Sequence, residues 1–380
     1  MARHVAILIT SLGAGGAERV VAMLARHWVD QGHTISIITF DKDEDPIFHP
    51  LPEEVQLHRL GAKVGTGYRG NLKKLLRLRE TLAEIRPEML LSFLTKNNLL
   101  AALATTGMST RLVCSERNNP ERQGGSRLWN LALKLAYRRA EIIVCQTYAI
   151  KRCFPEGVQD ILKVIRNPIT PFEVAASASD SKTICAVGRL TPQKGFDVLI
   201  EAFSKIADRH ADWNLTIWGE GEIREQLEAL VHQLGLESRV SLPGTTAKPG
   251  EWARDTTIFV QSSRYEGFGN ALAEAVASGL PVVATDCDFG PSEMIVNGRG
   301  GLLVPCENAS ALAEAMSRMI EDKTLRETCA AAARQSGFRF HPSNVLSQWD
   351  GVLNQLFGRA QGEANLIPLG RAVVAQNSTG

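Results

Sequence analysis

Short, unbroken apolar runs alternate with stretches of helical period along nearly the whole chain. In the first half the runs are HVAILIT (4–10), TISIITF (34–40), VQLHRL (55–60), MLLSF (89–93), RLVCS (111–115) and EIIVC (141–145). Helical patterns lie between them, around 16–31, 71–85, 97–106, 126–138 and 147–154. A strand that is apolar at every position needs cover on both faces. Strands joined by helices rather than by tight turns run parallel. The first half therefore predicts a doubly wound parallel sheet. The second half repeats the pattern with TICAVG (183–188), NLTIWG (214–219), RVSL (239–242), TIFVQSS (257–263), PVVATD (281–286) and GLLVP (301–305). Helices fill its gaps, and two more are expected at 308–320 and 323–336. Between the halves, KVIRNPITPF (163–172) and EVAASASDS carry two prolines and a polar run, which read as a linker.

A chain of 380 residues suits two such domains. The expected division is 1–166, a linker at 167–180, and 181–337. A last amphipathic helix falls within 338–358, and residues 359–380, which show no period, are expected to be mobile. Two open α/β sheets bind ligands in the cleft between their carboxyl edges. The net charge of +1 argues against a general nucleic-acid binder. It hides an asymmetry. Residues 1–166 carry 24 Lys and Arg against 16 Asp and Glu, whereas residues 167–380 carry 18 against 25. The seven cysteines are scattered singly with no C-x-x-C pair, which reads as reduced thiols in a cytoplasmic protein. MARHVAILIT is too short an apolar run for a signal peptide, and no run has membrane-spanning length, so any membrane contact is expected to be peripheral.

Three motifs fall at the expected cleft edge. SLGAGGAERV (11–20) follows the first strand and opens a helix, where free amides favour an anion. Gly13 and Gly15 match the start of a dinucleotide fingerprint, but Glu18 stands where a small residue is needed, which disfavours a dehydrogenase. The loop opening GRLTPQKGFDVLIEAF (188–203) places Arg189 and Lys194 beside Gly188, and two cations on such a loop suit a diphosphate. In RYEGFGNALAEAVASGLPVV (264–283), Glu266 lies on the loop and Glu274 one turn inside the helix, with Asn270 expected as N-cap. The amides of Gly267, Phe268, Gly269 and Asn270 lie between the two acids. Acceptors for two sets of hydroxyls with phosphate donors between them match the order of a nucleotide-sugar. Each acid alone is also explained as a solvated loop residue or a first-turn helix acid.

EGFGNALAE, the GRLTPQKGFD loop, WGEGEIREQLEAL (218–230), NGRGGLLVP (297–305) and SLGAGGAERV together resemble the GT-B retaining glycosyltransferases of the large bacterial family 4 type, which includes lipopolysaccharide and lipid-linked oligosaccharide transferases. The resemblance covers roughly residues 1–357. It implies the GT-B fold, two Rossmann-like domains facing across a cleft, with the helix at 341–357 crossing back to the first domain on Trp349. It implies that Arg189 and Lys194 hold the donor diphosphate, that Glu266 contacts the transferred sugar and Glu274 the ribose, and that Gly188, Gly267, Phe268, Gly269, Asn270 and Leu272 line the donor site. Gly15 and Gly16 would approach from across the cleft. No metal and no cofactor is implied; the nucleotide-sugar is a substrate, and the D-x-D patterns at 41–43 and 286–288 are read as unrelated to metal. Many relatives carry a histidine on a first-domain loop where this chain reads CSERNNP (114–120), so Glu116, Arg117 and Asn118 are the candidates for sugar or acceptor contact. On RGNLKKLLRLRETLAEI (69–85), Arg69, Lys73, Lys74 and Arg77 are candidates for acceptor or anionic-membrane contact, although a solvated basic face is the commoner reason for such a pattern. The expectation is a retaining, peripheral enzyme at the inner face of the cytoplasmic membrane, using a UDP-sugar and a lipid-linked glycan. A soluble acceptor, a GDP-sugar or a nucleotide-sugar binder without turnover stand as alternatives.

Overall fold

The computed structural model describes residues 1–61, 68–117, 127–175, 178, 180–246 and 248–358. The expected mobile tail at 359–380 lies outside them. Seven strands form the first sheet: β1 (His4–Leu8), β2 (Thr34–Thr39), β3 (Gln56–Arg59), β4 (Met89–Phe93), β5 (Arg111–Ser115), β6 (Ile142–Cys145) and β7 (Leu162–Val164). Their order is β3-β2-β1-β4-β5-β6-β7, and every described pairing is parallel. The second sheet has β8 (Thr183–Val187), β9 (Asn214–Trp218), β10 (Val240–Gly244), β11 (Ile258–Gln261), β12 (Val282–Thr285) and β13 (Leu302–Val304), in the order β10-β9-β8-β11-β12-β13, again parallel. In each sheet the order reverses beside the first strand, and a crevice opens there at the carboxyl edge.

The helices of the first half are α1 (Gly16–Asp30), α2 (Tyr68–Ile85), α3 (Thr95–Ala104), α4 (Arg127–Arg139) and α5 (Tyr148–Arg152). Those of the second are α6 (Phe196–Ser204), α7 (Arg224–Gln233), α8 (Glu251–Arg254), α9 (Asn270–Ala277), α10 (Pro291–Met294), α11 (Ala309–Glu321) and α12 (Lys323–Gly337), followed by α13 (Pro342–Phe357). One face of the first sheet packs on α2, α3, α4 and α5 through Leu78, Leu82, Ala101 and Ala136. The other packs on α1 and α13, where Trp28, Val345, Trp349 and Val352 bury with Ile7 and Ile37. The last helix is thus part of the first sheet's core. Trp349 stacks on Phe93 with 6.2 Å between ring centroids. Asp350 accepts from the Trp28 indole at 3.1 Å and contacts His27 at 3.0 Å.

One reading is corrected. Leu162–Val164, absent from the strands expected and overlapping the linker expected from residue 163, is the edge strand β7, paired with Ile143–Cys145. The segment after it is tied down: Ile169 is buried and its amide donates to the Phe340 carbonyl at 2.7 Å, and Phe172 packs edge-on against Trp252. Apolar Ile169 and Phe172 give this connection a core to enter.

Candidate functional site

The site forms where the strand ends of the second sheet face α1 and β5 of the first. Its cleft holds about 480 Å³ and is lined by residues of both halves, among them Gly16, Leu94, Arg117, Asn167, Gly188, Arg189, Lys194, Glu266 and Glu274. After β8 the chain turns through Gly188 and Arg189 into a single helical turn at Pro192–Lys194. Gly195 then takes a left-handed conformation (φ +61°), and a Cβ there would lie 2.2 Å from the Ser262 carbonyl oxygen. Only glycine lets this loop rest on the exit of β11. Three hydrogen bonds clamp it there: Ser262 Oγ to the Lys194 carbonyl at 2.9 Å, the Arg264 amide to the Gln193 carbonyl at 2.8 Å, and Gln193 Nε2 to the Tyr265 carbonyl at 2.9 Å. Arg264 adds a two-pronged contact to Asp197 (3.0 and 2.8 Å) and a bond to Glu307 at 2.9 Å, which raise its pKa and hold Asp197's below the ordinary carboxylate value.

This clamp brings the predicted cations to the predicted acids. Lys194 Nζ lies 2.6 Å from Glu266 Oε1, which also accepts from Ser263 Oγ at 2.6 Å. The pair is largely dry, with side-chain exposures of 18% and 6%. The aliphatic stem of Lys194 passes over Gly188, where a Cβ would stand 3.2–3.3 Å from three of its carbons. Arg189 lines the same cleft, exposed and without a side-chain partner among the described residues. Glu274 points back to the edge and accepts from Arg19 Nη1 at 2.8 Å, across the cleft. Burial raises the Glu274 pKa, and Arg19 partly opposes that shift.

Asn270 is not the N-cap. Gly269 occupies that position with φ +89°, and Asn270 is the first helical residue of α9. Its side chain instead crosses to the first domain, accepting from Asn167 Nδ2 at 2.6 Å. Asn167 Oδ1 accepts in turn from the Arg117 guanidinium and from Gln146 Nε2 at 2.8 Å. Gly16 meets the same asparagine so closely that a Cβ would fall 2.2 Å from Asn270 Nδ2. Arg117 is held by Ser115 Oγ at 2.8 Å and lies 4.7 Å from the Phe93 ring centroid and 5.8 Å from that of Trp349. Burial lowers its pKa to about 9, and its second terminal nitrogen has no hydrogen-bond partner among the described residues. Leu94 beside it is held at φ +78°, a strained value for a branched residue.

Several expected site residues lie elsewhere. Glu116 does not face the cleft. It is fully buried, accepting from Thr95 Oγ1 at 2.7 and 2.8 Å and from the Tyr137 hydroxyl at 2.7 Å, so it pins α3 and α4 to the end of β5. Leu272 is in the core between α9 and the second sheet. Gly15 caps α1 and does not line the cleft. Phe268 lines it only in part, its ring packed edge-on against Phe340. Lys74 is half buried over the Phe40 ring at 5.3 Å, and Arg77 donates to the Leu60 carbonyl at 2.6 Å, so both serve to fasten α2. Lys73 is exposed. Asn118 and the side chain of Arg69 lie outside the described residues.

Sequence reasoning missed Arg19, Gln146, Asn167, Arg264 and Glu293. Glu293, on α10, accepts from the amides of Tyr148 (3.0 Å) and Ala149 (2.7 Å), capping α5 of the other half. Arg19 and Arg264 sat inside the quoted motifs, and partner assignment alone was lacking. Gln146 and Asn167 carry no pattern that could have marked them. Among the described residues no group of three or more His, Cys, Asp or Glu could hold a metal ion.

Residues 170–336 match the family described as glycosyl transferases group 1, and residues 14–171 match glycosyltransferase family 4. The chain is 32% identical, over 70% of its length, to an exopolysaccharide phosphotransferase of Streptomyces coelicolor, of which it spans only 28%. It is 29% identical to N-acetylgalactosamine-N,N'-diacetylbacillosaminyl-diphospho-undecaprenol 4-alpha-N-acetylgalactosaminyltransferase of Campylobacter jejuni, covering 84% of this chain and 91% of that one. The fold is that of Anabaena HepE, solved with UDP and glucose, at a TM-score of 0.78 and 22% identity over 93% of this chain and 99% of the other.

Proposed function

Because this chain belongs to the glycosyl transferases of group 1, with a family 4 first half and the GT-B fold, we propose that it moves a hexose or N-acetylhexosamine from a UDP-sugar to a lipid-linked glycan, with retention of configuration. The observation that carries this reading is the convergence of Arg189, Lys194, Glu266 and Glu274 on one cleft, around the N-terminus of α9. The diphosphate would lie against Arg189, Lys194 and the amides of Gly267–Asn270, where cations and helix amides stabilise the charge that grows on the departing nucleotide. To reach it, Lys194 trades part of its contact with Glu266 for phosphate. Glu266 then turns acceptor lone pairs to the sugar hydroxyls. Glu274 exchanges Arg19 for the ribose hydroxyls. Arg117, Gln146 and Asn167 form the opposite wall and would meet the transferred sugar or the incoming hydroxyl.

In the transfer, the bond between the anomeric carbon and the phosphate oxygen breaks and a bond to the acceptor oxygen forms on the same face. The acceptor's proton passes to the departing phosphate, and no metal takes part. The Campylobacter relative is named for a diphospho-undecaprenol acceptor and HepE was solved with UDP, which supports these choices of acceptor and donor. The acceptor would be met at the inner face of the cytoplasmic membrane; no described helix is long and apolar enough to cross it.

The test is a thermal-shift panel of UDP, GDP, ADP, NAD and UDP-sugars on wild type and Glu274→Ala. A ligand at a hundredfold excess over its Kd stabilises by about 2.7 kcal/mol. UDP species should shift the wild type and not the variant. A shift by NAD with none by any nucleoside-diphosphate sugar would refute the reading.

A further inference from the structure

The helix layer α2–α3–α4 carries an outward surface that the donor cleft does not use. On α2, Leu78 and Leu82 bury against the sheet, yet Leu72 and Leu76 do not; on α4, Ala136 and Tyr137 bury, yet Leu131 and Leu135 do not. These four and Leu103 of α3 are each 45–57% exposed. Two arginine ties show which way the exposed leucines lean. Arg79, three residues past Leu76, donates to the carbonyls of Ala104 and Thr106, at the end of α3. Arg139, four residues past Leu135, donates to those of Thr105 and Thr110. Residues three and four apart share a helix flank. Both leucine pairs therefore lie on flanks turned toward α3, whose outer face adds half-buried Leu99 and Leu100. The result is one leucine surface across three helices, larger in character than scattered exposed residues.

The charge around it is mainly positive; the exposed acids of α2 are Glu80, four residues past Leu76, and Glu84. The first twelve residues of α2, all of α3 and all of α4 contain no Asp or Glu and ten Lys or Arg. Of these, Lys74, Arg77, Arg79 and Arg139 are spent on internal ties and the side chains of Arg69 and Arg127 lie outside the described residues, which leaves Lys73, Lys96, Lys134 and Arg138 exposed around the leucines. We propose that this surface, formed by Leu72, Leu76, Leu103, Leu131 and Leu135 with that basic rim, docks the protein on an anionic lipid bilayer. Leucines enter the headgroup boundary while lysines stay at its charged level. A second copy of the same face would oppose cation to cation, and a soluble polyanion would leave the leucines in water. The helices start at the carboxyl edge of the sheet, the edge on which the cleft opens. The inference deepens the reading of a lipid-linked acceptor and rests on it for its purpose. It also moves the contact from the basic face of α2, two of whose cations are engaged, to the leucine surface.

The experiment is co-sedimentation of the full chain with vesicles of phosphatidylcholine, with and without phosphatidylglycerol. It compares wild type with Leu76→Glu/Leu135→Glu and with Lys73→Glu/Lys134→Glu, all at exposed positions. Wild type should pellet with the anionic vesicles only. At roughly fivefold per basic residue near the surface, the lysine pair should weaken binding at least about tenfold; the leucine pair should weaken it too, because it replaces apolar insertion with two carboxylates at the headgroup boundary. The UDP-induced thermal shift should be unchanged in both, which certifies the fold. Undiminished binding of the leucine variant, equal binding to both vesicle types, or none by wild type overturns the proposal. So does a wild-type dimer in vesicle-free solution that the leucine variant makes monomeric. A missing UDP shift in wild type would sink the donor reading and leave the vesicle result standing.

Discussion

Lys194 and Arg189 are predicted to part company when each is removed. Lys194→Ala leaves the Glu266 carboxylate, 5% exposed, with only Ser263 Oγ on the oxygen that met the ammonium. Removing one partner of a buried ion pair costs about 3–5 kcal/mol. Lys194 keeps some access to water, which places the loss at the lower end, about 3 kcal/mol. At roughly 2–4 °C per kcal/mol, Tm falls by about 6–12 °C. Arg189 is exposed and has no side-chain partner among the described residues, so Arg189→Ala should change stability by no more than about 0.5 kcal/mol. Both variants should nonetheless lose UDP affinity, since a hydrogen bond to a charged group contributes about 1.5–3 kcal/mol, or about 10- to 150-fold in Kd. Lys194→Met combined with Glu266→Gln removes both charges and should recover most of the lost stability without recovering affinity. Urea denaturation and calorimetric titration with UDP read the two effects separately. Equal destabilisation by both alanines, or a double variant no more stable than Lys194→Ala, would refute the argument that the pair is a buried structural element that the donor borrows.

Glu274 should show the opposite sign. Its folded pKa is raised by burial, so the ionised carboxylate costs stability above that value, and the cost disappears below the unfolded value. Glu274→Gln is therefore expected to raise Tm at neutral pH, with the advantage shrinking as pH falls toward the ordinary glutamate range, while the UDP shift is lost; a variant less stable than wild type at neutral pH would contradict this. Trp349→Ala should cost about 3–5 kcal/mol in urea denaturation, since the ring is fully buried and stacked on Phe93 beneath Arg117; a loss under about 1 kcal/mol would mean that α13 is peripheral to the first-domain core.

Local chemistry determined much of this protein without help from the tertiary structure. Continuous apolar strands such as MLLSF and IIVC dictate a sheet covered on both faces, and the helices between them dictate parallel pairing, because each is a consequence of burial and chain connection within one segment. The placement of Glu266 and Glu274 at one edge followed from strand, loop and helix geometry alone. Tertiary structure decided partnership. Glu116 and Arg117 are neighbours in the chain, yet one is locked inside by Thr95 and Tyr137 and the other lines the cleft, because successive residues at a strand end point to opposite sides. Asn167 and Asn270 are 103 positions apart, and their bond exists only once the two halves of the chain face each other. Lys74 and Arg77 look solvated in one dimension and are fastened to Phe40 and Leu60 in three. Sequence period reports which face of an element is apolar. What that face, or a charge beside it, will meet depends on segments far away in the chain, and only the packed structure brings them together.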